Sequence, residues 1–435
     1  MNQLKVSINT IVVFTLLFCC ACKKQTFRQV DDRYAHNDAL PVSLERFAPL
    51  EGSEATEVML YGDNFSSNVQ DIRVTINGRQ TEVLGANRKR IIIKIPQGAG
   101  TGKLALTIGG KTVNSEATFI YTLKRTVTTV AASSTAATFD FKVNAGMDID
   151  SKGNLYLADI FNNCIRKVAP DGTVSTFAGV PGTEGNKNGA AAQALFNHPT
   201  DLVVDQNDNV YVADTWNWAI RKIATTGEVT TVLGWVVPFP QGITINNKTG
   251  TLYVVSALPA VSQGKLFEIT AAGVMTERPL SAPIISGGIT MDKNDNLVIV
   301  DNGRSVVYRV NTQTWNMEKL AGLEDTPGWV DGVGANARFE HPWDVAVDSK
   351  NNIYVAGCGH LFNGANIAAG ASNIRMIEAG TNKVSTVAGS NSMGYKDGLG
   401  GEARFNVPTG LAIDAQDNVY ILDRDNLKIR KMVSQ

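Results

Sequence analysis

The chain has 435 residues, more than one ordinary core accommodates, so two or more domains are expected. Charged residues make up 19% and glycine is abundant at 40, a mix that suits an all-β chain with many tight turns and argues against a helical one. A formal net charge of −1 leaves no broad basic face for nucleic acid or anionic lipid, so no nucleic-acid partner is expected.

Residues 1–21 read as a signal peptide. Lys5 supplies a positive start, and Ile11–Phe18 forms an apolar run too short to span a membrane. Cys19-Cys20-Ala21-Cys22 and Lys23-Lys24 follow. A small residue before a cysteine at the end of such a run resembles the lipobox of bacterial lipoproteins. The resemblance implies cleavage after Ala21 and acylation of Cys22, with Cys19 or Cys20 as the alternative acceptor. The absence of Asp after Cys22 points, in such proteins, to an outer-membrane lipoprotein facing the periplasm or the cell surface. Residues 22–38 are polar and aperiodic and read as a tether.

From 39 to 122 short β runs alternate with turns. Leu60–Phe65 leads to the alternating strand Ile72–Ile76, closed by a hairpin turn at Asn77-Gly78; Arg90–Pro96 and Leu104–Ile108 follow. Phe47-x-Pro49-x-x-Gly52, Gly62-x-Asn64-Phe65, Val74-x-Ile76-Asn77-Gly78 and Ile95-Pro96 to Gly102 resemble the IPT/TIG family of immunoglobulin-like domains. The family implies a small β-sandwich acting as a spacer or interaction module, without chemistry of its own.

From Arg125 to the end one unit recurs. A landmark Asp or Asn stands at 150, 205, 246, 292, 348 and 414, each followed by a strand such as Leu155–Asp159 or Val210–Asp214 and by a third strand such as Ile165–Val168. Fourth strands read TVSTFAG at 173–179, EVTTVLG at 228–234 and KVSTVAG at 383–389. The same strand, TVTTVAA at 126–132, precedes any first, second or third strand, while the last unit stops after three. The N-terminal strand is therefore expected to complete the last blade, leaving no open edge. The units resemble NHL repeats, on Asp150 to Asp159 with Asn162 and Ile165, Asp205 to Asp214 with Asn217 and Ile220, and Asp414 to Asp423 with Asn426 and Ile429. The segments Asp331-Gly332-x-Gly334-x-x-Ala337-x-Phe339 and Asp397-Gly398-x-Gly400-x-x-Ala403-x-Phe405 match as well. Blades 3 and 5 depart at Ser256 and Gly357, each followed by a long insert. The expected fold is thus all-β: a small immunoglobulin-like sandwich, then a six-bladed propeller over 125–435 closed by its N-terminal strand. Cys164 and Cys358 fall in blades 1 and 5, which are not neighbours, and read as buried small hydrophobes.

Asp205-x-x-Asp208-Asn209 looks like a fragment of a calcium loop, but the distal Gly and Glu are missing, and its recurrence in other blades suits a turn-forming carboxylate. His198 and His341 each precede a Pro that opens an innermost strand, in facing blades 2 and 5. Phe239 and Val407 hold the matching places in blades 3 and 6, so no ring of three ligands forms. Asn197, Asp201, Glu340 and Asp344 flank the same positions, and His360 lies in the blade 5 insert. No Ser/His/Asp elbow or phosphate loop appears, so no catalytic residue or metal ligand is assigned. No cofactor is expected, with calcium or zinc in the channel as the alternative.

Aromatics give the lead. In a propeller, the connections from strand two to three and from four to one share a face; Trp216, Trp218, Trp235, Trp329 and Trp343 map there, with Phe161 in a comparable turn. Trp315 lies elsewhere, while Phe196, Phe339 and Phe405 are expected to pack between blades. The candidate ligand-binding residues are Trp216, Trp218, Trp329, Trp343, Phe161, His198 and His341, since flat apolar rings stack on sugars or partner side chains. The chain resembles IPT–NHL lipoproteins of the Bacteroidetes, which implies a membrane-anchored, monomeric protein that captures a glycan. The alternatives are an envelope protein–protein scaffold and a metal-dependent hydrolase or lyase at the channel mouth.

Overall fold

A computed structural model of the chain describes residues 36–132, 146–257, 264–282, 284–285, 287–357, 372–390 and 392–434. The expected signal peptide, Cys22, Cys358 and His360 lie outside the described residues. The described residues fall into two compact units that part between Thr122 and Leu123.

The first unit holds two sheets. Ser43–Ala48, Glu57–Asp63, Arg90–Lys94 and Glu82–Asn87 form one; Glu51–Gly52, Lys111–Tyr121, Gly102–Ile108, Ile72–Ile76 and Arg79–Gln80 form the other. Alternation sends every second residue inward, so Val58, Leu60, Ile91 and Ile93 share a core with Val74, Ile76, Leu104, Leu106, Phe65 and Phe119. Asn77 and Gly78 both have positive φ, 48° and 78°, which gives the hairpin turn its hand. The end of the expected tether is tied down. His36 Nδ1 lies 2.7 Å from the Asn64 carbonyl, and the Asn64 amide donates to the carbonyls of Asn37 and Leu40.

In the second unit the strands sort into six antiparallel sheets, one for each expected repeat. The first of these sheets, labelled blade 1 after its repeat as the others are after theirs, runs Met147–Ile149, Leu155–Asp159, Cys164–Val168 and Val174–Ala178. The innermost strands of the others are Pro199–Val204, Pro240–Asn246, Ile289–Met291, Pro342–Val347 and Pro408–Ile413, and each touches the next in turn, the last touching the first. Burial is most complete in the second strands and falls toward the outer edge. The second strands, such as Val210–Asp214 and Val419–Asp423, are buried almost throughout, whereas the fourth strand Val174–Ala178 is mostly open to solvent. This is why second strands read as continuous apolar runs and fourth strands as Thr-rich ones. Cys164 is buried and free, and burial pushes its thiol up to about 12, so it acts as a small hydrophobe.

The strand Arg125–Ala132 pairs antiparallel with Lys428–Ser434 in the sixth sheet. Side chains mark it as the equal of the fourth strands elsewhere. Thr129 donates its N–H and hydroxyl to Asp397, whose carboxylate also receives Arg430; Thr386, Asp331 and Arg375 repeat the arrangement in blade 5. Blade 2 uses Thr231, Asn188 and Arg221. The three arginines are fully buried and sit over Phe196, Phe339 and Phe405, with guanidinium-to-ring distances of 5.1, 5.3 and 5.1 Å. Each also donates to two carbonyls of the inter-blade segment: Lys187 and Leu195, Val330 and Arg338, Lys396 and Arg404. That segment adds a two-residue fifth strand, Gly189–Ala190, Gly332–Val333 or Gly398–Leu399, to the outer edge of its blade.

The landmark carboxylates build turns. Asp150 Oδ1 accepts the N–H groups of Lys152 and Asn154, and Asp205, Asp292, Asp348 and Asp414 do the same in their own turns. Asp208 and Asp417, further along two of these turns, reach back to accept from Ser151 and Ser349 of the preceding blade.

Candidate ligand-binding face

Asp214, at the end of the second strand of blade 2, organises the face. Its Oδ1 accepts the Asn197 N–H at 2.7 Å, and its Oδ2 accepts the Asn217 amide and Arg221 at 2.8 Å each. One carboxylate therefore fixes both the turn Thr215–Asn217 and the residues leading into the first strand. The turn ends on Trp218 in the left-handed region, at φ 50°, which turns the indoles of 216 and 218 outward. The residue before each strand-opening proline is left-handed too: His198 at 51°, Phe239 at 42°, His341 at 46° and Val407 at 57°. Four non-glycine residues in this region, one of them β-branched, mark a face held in a strained conformation by its surroundings.

Five rings run in succession across blades 1 to 3. Ring centroids are 6.1 Å apart for Phe161 and His198, 4.9 Å for His198 and Trp216, 6.4 Å for Trp216 and Phe239, and 5.4 Å for Phe239 and Trp218. Trp216 is 58% exposed and Phe161 42%; the neighbouring Trp235 is 68% exposed. Burial lowers the pKa of His198 in this row, and Glu184 only partly opposes that. Its N–H on the backbone donates to Asn163 Oδ1 of blade 1, and its Nδ1 lies 2.9 Å from Asn197 Oδ1. A strip of exposed flat rings braced by amides offers stacking surfaces with hydrogen-bonding groups at its edge.

The remaining candidates do not join the strip. Trp343 was expected on the exposed face but is only 6% exposed, because it is the second residue of the innermost strand and packs against Val407 on the axis. Blade 2 has Thr200 at that place, bonded to Thr215 and the Pro240 carbonyl. His341 is held by the Asn302 carbonyl at 2.9 Å and by Glu340 at 3.9 Å. Trp329 is half-buried, and no ring contact among the described residues links it to the strip. Phe239, dismissed as a metal ligand from the sequence, is the ring that joins Trp216 to Trp218. Its place matching His198 was the available signal.

The axis itself is acidic. Asp201 and Asp344, flagged only as flanking residues, line a cavity of about 20 Å³ with Gly146, Thr200, Gln241, Gly288, Trp343 and Thr409. Asp148 joins them in the adjoining 120 Å³ space. Each carboxylate accepts one N–H from its own strand and one from the next blade: Asp148 from Ile149 and Val204, Asp201 from Leu202 and Ile243, Asp344 from Val345 and Leu411. Burial pushes Asp148 up to about 6 and Asp344 to about 7; burial and then the Asp344 charge raise Asp201 well above the usual range. Among the described residues, no group of three or more His, Cys, Asp or Glu side chains is placed to hold a metal ion. A cavity of about 630 Å³ lies at the other ends of the strands, where its carboxylates Asp150, Asp205 and Asp414 are occupied by their own turns.

Residues 43–121 match the IPT/TIG domain family and residues 196–223 the NHL repeat. The chain thus carries an IPT/TIG domain and, after it, an NHL repeat. An auxiliary nutrient binding protein from Bacteroides thetaiotaomicron superimposes with a TM-score of 0.55 at 23% identity, covering 92% of this chain and 99% of that one. A second, from Bacteroides ovatus, gives 0.55 at 22%, covering 92% and 100%. These likenesses show a shared fold. Human NHL repeat-containing protein 2 is 26% identical over 335 residues, 64% of this chain and 44% of the relative, so the chain spans less than half that protein's length. No helix among the described residues is long and apolar enough to cross a membrane.

Proposed function

We propose that this protein is an extracytoplasmic binding protein that captures a glycan on the ring strip Phe161–His198–Trp216–Phe239–Trp218. The strip carries the reading: five successive rings, the outer ones exposed, match the faces that sugars present for stacking. That two neighbours of the same fold are named nutrient binding proteins supports a binding role. In this reading the six sheets are the blades of one ring over 125–435, closed by the strand Arg125–Ala132. Residues 1–21 are a signal peptide, Cys22 is the acylated residue of an outer-membrane lipoprotein, 22–38 form the tether and 39–122 the spacer. The protein acts as a monomer.

Tryptophan fluorescence of the soluble segment 33–435 against a panel of poly- and oligosaccharides tests this. A saturable shift with one glycan, lost in Trp216→Ala, is expected. Silence across the panel would sink the glycan reading and favour an envelope protein as the partner; turnover of a panel member would favour the hydrolase or lyase.

A further inference from the structure

The turn that carries Trp216 recurs in blade 6 with other side chains. Trp216 donates its backbone N–H to the Asn197 carbonyl at 3.1 Å, and Asp425 donates its own to the Asn406 carbonyl at 3.0 Å. The turns Thr215–Asn217 and Arg424–Asn426 both end on a left-handed residue, Trp218 at φ 50° and Leu427 at 52°. One backbone frame thus presents an indole in blade 2 and the ion pair Arg424–Asp425 in blade 6.

Beneath the rings, charge is either paired or absent. In blades 1 and 2 the buried Asp159 and Asp214 are matched by Arg166 and Arg221, each at 2.8 Å. Blade 3 replaces both partners together. Ser256 stands at the aspartate's place, and Phe267 lies opposite Val254 as Arg221 lies opposite Val212. Blade 4, which contributes no ring to the strip, keeps Asp301 but has Tyr308 in place of the arginine. One oxygen of that buried carboxylate has no hydrogen-bond partner among the described residues. The strip is carried by the connections 159–164, 179–198, 214–218 and 234–239. Their exposed charged side chains, among the described residues, are Glu184 and Lys187, of opposite sign.

We propose that the strip is built for an uncharged glycan chain and discriminates against carboxylated or sulfated ones. The inference rests on glycan capture and names the chemical class captured. Ring faces carry a negative quadrupole, which favours the C–H groups of a sugar and disfavours an anion. An anionic substituent seated there would lose water and gain no guanidinium or ammonium in exchange. Acidic ligands call for forked arginine donors, and here Arg166 and Arg221 are buried and committed to their own aspartates.

The test follows tryptophan fluorescence of the soluble chain 33–435 with neutral polysaccharides, each presented also in its hydroxyethyl and carboxymethyl forms. The hydroxyethyl group adds bulk without charge. A neutral member and its hydroxyethyl form should bind within about threefold of each other, and the carboxymethyl form about tenfold or more weakly. Glu184 is exposed and its charge reaches His198, so Glu184→Lys sets a cation beside the strip. That variant should tighten the carboxymethyl form about threefold or more and leave the neutral form as it was. A carboxymethyl form bound as tightly as its neutral parent overturns the proposal. So does a hydroxyethyl form rejected as strongly as the carboxymethyl one, because bulk would then decide, or a Glu184→Lys chain that still rejects the carboxymethyl form in full. Silence from every form, charged or not, would instead sink glycan capture itself, and this inference with it.

Discussion

Blades 2 and 5 share the most and use it differently. Both open with His-Pro on a left-handed histidine, both place an aspartate on the axis, and both bury an arginine over the phenylalanine of the inter-blade segment. In blade 2 the arginine finds Asp214, fully buried at the end of the second strand. In blade 5 that place is Gly357, and Arg375 instead reaches Asp331, which is 51% exposed. Blade 2 has a small threonine after its proline and two indoles in the turn above; blade 5 puts its indole at the axis. The same frame thus makes a surface in one blade and a plug in the other, depending on which of two positions holds the large ring.

Arg221→Ala strands Asp214 in the interior and should cost about 3–5 kcal/mol in urea unfolding. Arg375→Ala leaves only a half-exposed carboxylate and should cost about 1–3 kcal/mol. Equal losses would mean that the buried partner is not what separates the two blades. Trp343→Ala removes a buried ring and should cost about 3–5 kcal/mol, whereas Trp216→Ala should move stability by less than about 0.5 kcal/mol. For glycan binding the order reverses: Trp216→Ala should weaken it about tenfold or more. A Trp216→Ala chain that melts early and binds normally would break the contrast. The smallest effect concerns pH. Asp344, Asp148 and Asp201 hold protons in the folded chain that an unfolded carboxylate, near about 3.9, releases. Raised folded values give stability that is present in acid and lost as pH climbs through about 6 to 7. In EDTA the melting temperature should therefore fall between about pH 5 and 8, and Asp344→Asn should flatten the slope; a rise over that range would contradict the burial of the carboxylates.

The repeat was legible because each blade solves the same packing problem, so its apolar second strand and its Asp turn recur at visible spacing. The matched Thr-rich strands at 126–132 and 383–389 reflect a shared side-chain network, Thr129 and Thr386 each bonded to a segment aspartate. What was missed depends on direction and not on composition. Trp343 looks like Trp216 in sequence, but it stands on the innermost strand, where alternation turns it to the axis. Left-handed backbone before proline is disfavoured locally, so nothing in His198-Pro199 or Phe239-Pro240 announces it. Arg221, Arg375 and Arg430 each follow an isoleucine at the same place in the third strands, and that recurrence is the signal for their burial.

One consequence follows from the pairing of Arg125–Ala132 with Lys428–Ser434. The two strands of that sheet are separated by nearly the whole repeat array, so a ribosome releases the first long before it has made the second. Until Lys428–Ser434 emerges, the early strand lacks that partner and its edge stays open to other chains. A nascent chain of this kind gains from being kept apart until that partner is made, and deletion of Lys428–Ser434 would leave Arg125–Ala132 without the strand that it pairs with.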